Sequence, residues 1–204
     1  MKKLYSIIII AFINISCNIN KNHNQIDIRI AIPIDSDLII KFYDIQKMGA
    51  KIKYLNWWKE LQNTPIFKDQ INKISELNKL FKFNHILNNK NIYVSTILTG
   101  DNKANFLLTT SMNKDLENDM FKLLGILDNR QNKKREYEGV VINNIKINTT
   151  QTSNTHVFFA IYQNIFLMSF SDIIIEKSIR QLKHGVSIFE SESITKLDKN
   201  LPKY

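Results

Sequence analysis

The sequence predicts an α+β domain: a mostly antiparallel sheet of hairpins and a meander, with helices packed on one side. Three observations carry this. Several short runs alternate apolar and polar residues at strand period, turn-forming residues separate consecutive runs, and amphipathic stripes at helical period fall between groups of strands. The resulting order is strand, strand, helices, hairpin, helix, four strands, helix, helix.

In chain order, Ile26, Ile28, Ile30 and Ile32 alternate with Asp27, Arg29 and Ala31, a strand pattern that Pro33 interrupts. IPIDSD (32–37) reads as a turn, and LIIKFY (38–43) as a strand apolar enough to be buried on both faces or central in the sheet. From Ile45 to Phe83 the period is helical. Leu55, Trp58 and Leu61 share one face with Trp57 alongside. Thr64 is placed to cap a helix that has Pro65 at its first position, and Phe67, Ile71, Ile74, Leu77 and Phe81 form its apolar stripe.

Residues 91–98 and 103–110 flank Gly100-Asp101-Asn102, which predicts a hairpin. Asn113 is a cap for a helix with acidic first turns (Asp115, Glu117, Asp119), ending near Gly125. The polar connection 127–136 is a candidate internal boundary. YEGVVI and IKINTTQ are expected to pair across Asn143-Asn144, and THVFFAIY and IFLMSFS across Gln163-Asn164. Asp172 then caps a helix with Ile175, Ile179 and Leu182 on one face and a Glu176–Arg180 pair one turn apart, ending near Gly185. A last helix turns Ile194, Leu197 and Leu201 inward and stops at Pro202.

The 204 residues and 44% hydrophobic content suit one ordinary domain with its own core. The single cysteine rules out an intrachain disulfide. The formal charge is +9, yet 24 of the 28 basic residues are lysine, and Asn and Ile are abundant. That composition points to nucleotide bias rather than to an anionic partner. Basic residues cluster only at 132–135, without interleaved aromatics, so no nucleic-acid partner is predicted.

The first seventeen residues set the compartment. Lys2 and Lys3 precede an apolar run, Leu4 to Ile13, and Ser16 stands before Cys17. The run is well short of the ~20 residues of a membrane-spanning helix. Its all-round apolar character offers no polar face for a core helix, and the pattern is that of a secretory signal. Ile15-Ser16-Cys17 resembles the end of a lipobox, although Asn14 stands where leucine is usual. The expected organisation is a signal peptide over 1–16, a flexible tether over 17–25 lipidated at Cys17, and an α+β domain over 26–204. Ordinary secretion with a free Cys17 thiol is the competing reading. The acid-free tether places the domain on the periplasmic face of the envelope, held to the membrane by its lipid.

AIPIDSDLIIKFYD (31–44), WWKELQNTPIFK (57–68), YEGVVINNIKI (137–147) and FFAIYQNIFLMSFSDIIIEKSIRQLKHGVSI (158–188) resemble a family of uncharacterised exported proteins, often lipoproteins, of Gram-negative bacteria. The resemblance implies location and fold, and no catalytic residues. Members of that family are longer, so the resemblance leaves two readings, a natural short form or an N-terminal portion of a longer protein.

Chemistry-bearing motifs are sparse. The four histidines, His23, His85, His156 and His184, show no metal-ligand spacing with each other or with Cys17. No G-x-S-x-G elbow or phosphate-cradling glycine loop occurs. Asp35 and Asp37 flank Ser36 in a turn, where capping is expected rather than calcium binding. No catalytic residue, metal or cofactor is therefore predicted. Trp57, beside Lys51, Lys53 and Lys59, is the one candidate binding residue, since residues adjacent in a helix point about 100° apart and Trp58 takes the core direction. The sequence thus reads as a lipid-anchored binding or envelope-assembly module with an envelope protein as a candidate partner. An enzyme acting on envelope material with dispersed site residues is the alternative.

Overall fold

The computed structural model describes residues 27–81, 87, 90–99, 103–114, 116–120, 132–147, 155–185 and 187–200. The signal and tether with Cys17 and His23, the segment with His85, the 100–102 turn, Gly125 and the end after Asn200 lie outside the described residues.

Seven strands build one sheet: β1 (Leu38–Phe42), β2 (Ile92–Thr99), β3 (Lys103–Ser111), β4 (Asn132–Tyr137), β5 (Val140–Ile147), β6 (Thr155–Tyr162) and β7 (Ile165–Ser169). Their order is β1-β2-β3-β7-β6-β5-β4, and every pairing is antiparallel. With α1 (Ile45–Ile52), α2 (Asn56–Asn63), α3 (Pro65–Phe81), α4 (Asp172–His184) and α5 (Glu192–Asn200), the class is α+β, as predicted. Residues 114 and 116–120 are also helical, and the side-chain oxygen of Asn113 caps them by accepting the Leu116 N–H at 2.9 Å.

Alternation distributes the apolar residues onto two faces. On one, Ile92, Leu108, Phe166, Met168, Phe159 and Ile145 meet Ile52 of α1, Leu77 of α3, and Leu116 and Met120. On the other, Ile97, Leu107, Leu167, Ala160 and Ile142 lie under Ile174, Ile175 and Ile179 of α4 and against Ala31. Helices therefore cover both faces rather than the single side expected. The reason is visible in β7, whose five residues are all buried and so require cover on either side. Burying one Ile or Leu contributes about 1.5–3 kcal/mol, so neither face is stable bare.

Several local expectations are corrected. Residues 28–31 form a 3-10 turn, not a strand. The Asp27 carboxylate accepts the Arg29 N–H at 3.0 Å, and a three-residue repeat sets Ile28 and Ala31 on one side, against the α4 core. Strand β1 is an edge, paired only with β2, and of its residues only Phe42 is fully buried. The hairpin after 132 turns at Glu138-Gly139, with φ of 49° and 74°, so Asn143 and Asn144 lie within β5 opposite Lys134 and Lys133. Two successive left-handed residues match the twist of a two-residue hairpin, and Gly139 takes its place without Cβ strain. The polar connection 127–136 enters the sheet at Asn132. Its charges suit the edge strand β4, where lysines discourage pairing with a further strand. The turn at Gln163-Asn164 is found where expected, with both φ positive.

Three helix details also differ. The Thr64 hydroxyl donates back to the Leu61 carbonyl at 2.7 Å, closing α2 instead of capping α3. Ser171, not Asp172, is the residue preceding α4, and Glu176 pairs with Arg135 of β4 at 2.6 Å rather than with Arg180, whose partner is the Tyr137 hydroxyl at 2.5 Å. Leu55 and Leu197, expected inside, are 44% and 61% exposed. Leu55 precedes the first turn of α2 and so falls out of its stripe.

Candidate functional site

An apolar hollow lies between the β1–β2–β3 end of the sheet and the helices that follow β1. Alternation along β1 points Leu38, Ile40 and Phe42 into it, and the paired strands add Val94, Phe106 and Leu108. The helical roof comes from Ile45 and Ile52 of α1, Trp58 and Leu61 of α2, and Phe67, Ile71 and Ile74 of α3. In α3 these three fall at i, i+4 and i+7, one face of the helix. The cavity measures about 250 Å³. Among the described residues, no ionisable side chain lines it. Its polar lining residues are Thr96, Ser169 and Trp58, and the Ser169 hydroxyl is turned to the other face, where it accepts the Ser171 N–H.

Gly49 sits in the wall at the middle of α1 and is solvent-exposed, so the cavity reaches the surface beside it. A Cβ built on Gly49 meets nothing within 4 Å. Around this roof, Asp44, Asp69 and Glu76 pair with Lys47 at 3.4 Å, Lys73 at 2.6 Å and Lys79 at 2.8 Å. Lys51, Lys53, Lys59 and Lys68 are exposed, and none of them is ion-paired among the described residues.

Trp57 is 50% exposed and meets Trp58 edge to face at 5.8 Å, while Trp58 lines the cavity. The candidate Trp57 therefore stands outside the roof, and its neighbour holds the wall.

A second, open hollow of about 410 Å³ lies at the far side of the sheet between Pro33–Asp35 and α4, with charged residues among those that line it. Lys177 pairs there with Asp35 at 2.5 Å, and His184 approaches Glu138 at 3.3 Å. Hydrogen bonding to the Tyr137 hydroxyl raises the Arg180 pKa further above its ordinary value. The other acid of the Asp35-Ser36-Asp37 turn, Asp37, accepts the Leu98 N–H of β2 at 2.7 Å, so the two acids tie the turn to β2 and to α4 instead of capping it as expected. His156 stands on β6, stacked on Phe158 and bonded to Asn144 at 2.8 Å. Among the described residues, no group of three metal-ligating side chains converges.

A third cluster ties the chain ends to the β1 edge. Burial disfavours the Lys41 ammonium, but hydrogen bonds with the Tyr43 and Tyr93 hydroxyls outweigh it and raise its pKa. Phe189 meets Tyr93 at 6.2 Å and carries the Arg29 guanidinium 5.0 Å above its ring.

Sequence reasoning missed the cavity. Its lining residues read individually as core, and the signal that could have found it is Gly49, a glycine interrupting the amphipathic helix of α1. No family model matches the chain, and comparison with curated proteins and with solved structures finds no match. Among the described residues, no helix is long and apolar enough to cross a membrane.

Proposed function

We propose that this chain is a lipid-anchored, exported binding domain of the bacterial cell envelope, facing the periplasm, that holds an apolar ligand without transforming it. The observation that carries the binding half is the cavity between the sheet and α1–α3, whose wall has no ionisable group among the described residues. Catalysis of acyl or glycosyl transfer needs a nucleophile and a proton-transfer group at the reacting atoms, whereas an apolar wall supplies burial alone. The buried hydroxyls of Ser95 and Thr109 also have no hydrogen-bond partner among the described residues, so no base activates them. The anchoring half rests on Ile15-Ser16-Cys17.

Two measurements test the two halves. Metabolic labelling with an alkyne fatty acid should mark the wild type and not Cys17→Ser, which should leave the membrane fraction. Retention of the unlabelled variant in membranes would refute the anchor. Nile red, a neutral apolar dye, should saturate at one equivalent on the folded protein. Binding that never saturates, or none, would refute a built apolar site.

A further inference from the structure

We infer that the cavity takes the single hydrocarbon tail of an anionic amphiphile of the fatty-acid class, inserted beside Gly49 with its carboxylate held at the surface by the lysines of the helical roof. This deepens the apolar-binding reading above and rests on it. Three observations converge. The first is size and course. Leu38, Ile40 and Phe42 line the hollow along β1, a run of roughly 13 Å at the ~3.3 Å rise of a strand, and 250 Å³ holds about eight methylene-sized groups at the ~30 Å³ of a water molecule. An apolar space of that volume along that strand fits one medium-length chain and is too small for a two-tailed lipid.

The second is Gly49. Glycine in a helix interior is disfavoured against alanine, and the usual reason for keeping it, close approach of a neighbour, is absent because nothing lies within 4 Å of a Cβ built there. What it does keep open is the exposed opening of the cavity. Methionine or alanine would improve the helix, so the glycine serves access.

The third is charge. Among the described residues the wall offers no ionisable group to bury a head, so the head stays outside. There the acids Asp44, Asp69 and Glu76 are already paired, whereas Lys51, Lys53, Lys59 and Lys68 have no ion-pair partner among the described residues; Glu60 of α2 has none either, which leaves four unpaired lysines to one unpaired acid. Lys53 follows directly on the last residue of α1, with its ammonium 5.0 Å from the centre of the exposed Tyr54 ring. Long lysine stems reach an anion at the rim while their ammonium groups remain solvated. A cationic head is repelled by the same set.

The test uses the full chain with Trp57→Phe, which leaves the cavity-lining Trp58 as the sole tryptophan, excited at 295 nm apart from the tyrosines. Decanoate should give a saturable change in Trp58 emission at one equivalent and displace Nile red. Decanol should bind about threefold more weakly, in line with the modest worth of exposed charge pairs, and that difference should vanish in high salt. Decyltrimethylammonium should bind more weakly still. Gly49→Met should raise the Tm of the free protein yet weaken decanoate at least about tenfold, equivalent to ~1.4 kcal/mol, while Gly49→Ala, also stabilised, keeps most of the binding. The inference is overturned if decanoate fails to displace bound Nile red, if the three heads bind alike, or if Gly49→Met binds as the wild type does. In each of those cases the Nile red result still stands for the broader reading. If decanoate binds but is recovered chemically altered, the ligand class is supported and the non-enzymatic reading falls.

Discussion

The Ser178 hydroxyl donates to the Ala31 carbonyl at 2.6 Å, joining two fully buried residues 147 positions apart. This bond fastens the turn at 28–31 to α4, and both groups are out of reach of water. Ser178→Ala leaves the carbonyl buried without that donor, which costs about 1–3 kcal/mol. Urea unfolding should show the loss, and Ser178→Thr, which keeps the hydroxyl, should recover part of it. Equal stability of wild type and alanine variant would contradict the packing of this turn.

Trp57 and Trp58 are neighbours with opposite roles. Trp58 packs on the core and forms the cavity wall, so Trp58→Ala should lose about 3 kcal/mol. Trp57, half exposed, should cost less than ~1 kcal/mol. The reverse order in thermal unfolding would mean that α2 is rotated about its axis.

Gly139 has φ +74°, and a Cβ there meets only Lys183 Nζ, at 4.0 Å. Steric contact is thus not the issue; backbone conformation is. Gly139→Ala should cost about 1–2 kcal/mol, and Gly139→Asn distinctly less, because Asn accepts the left-handed region. Equal costs for the two would remove the turn assignment.

Burial raises the Asp27 pKa, but the hydrogen bonds and charge of Arg29 outweigh it, so the carboxyl titrates below its ordinary value. A group depressed on folding binds its proton more readily in the unfolded chain. Its stabilisation is present above the ordinary value near 3.8 and is lost as pH falls through the folded value. Asp27→Asn should therefore be less stable than wild type at neutral pH, by no more than ~1 kcal/mol because the pair is partly exposed, and the difference should close in strong acid. A gap that persists there would show that charge is not the cause.

How much the sequence foretells depends on which physical term decides each position. Where local pattern decides, the reading succeeds: the α3 stripe with Pro65 at its start, the Asn113 cap, the Gln163-Asn164 turn and the apolar face of α4 are all found. Where a distant partner decides, it fails. Ile28 and Ala31 look like strand residues until Ser178 and the α4 core claim them as a turn. Glu176 looks paired to Arg180 until Arg135 arrives from another strand. Asn143-Asn144 outcompetes Glu138-Gly139 as a turn signal by composition alone, because the register of β4 is written in charged residues. The cavity is the extreme case: an absence of atoms has no residue to announce it, and only the misplaced Gly49 marks the spot. Cys17 and the charge of the roof lysines are legible directly, Trp57 exposure follows from helical phase, and none of them specifies a ligand.

The strand order has a bearing on how the chain folds. Strands β2 and β3 form a local hairpin, and β4 to β7 a local meander, but the seam of Leu107–Ser111 against Ile165–Ser169 joins segments remote in sequence. Loop-closure entropy must be met before that seam rewards the chain, so the two half-sheets assemble first and zip together late. Until they do, β3 and β7 each present an open edge of apolar residues, and a newly made chain passes through a stage in which self-association competes with completing its own sheet.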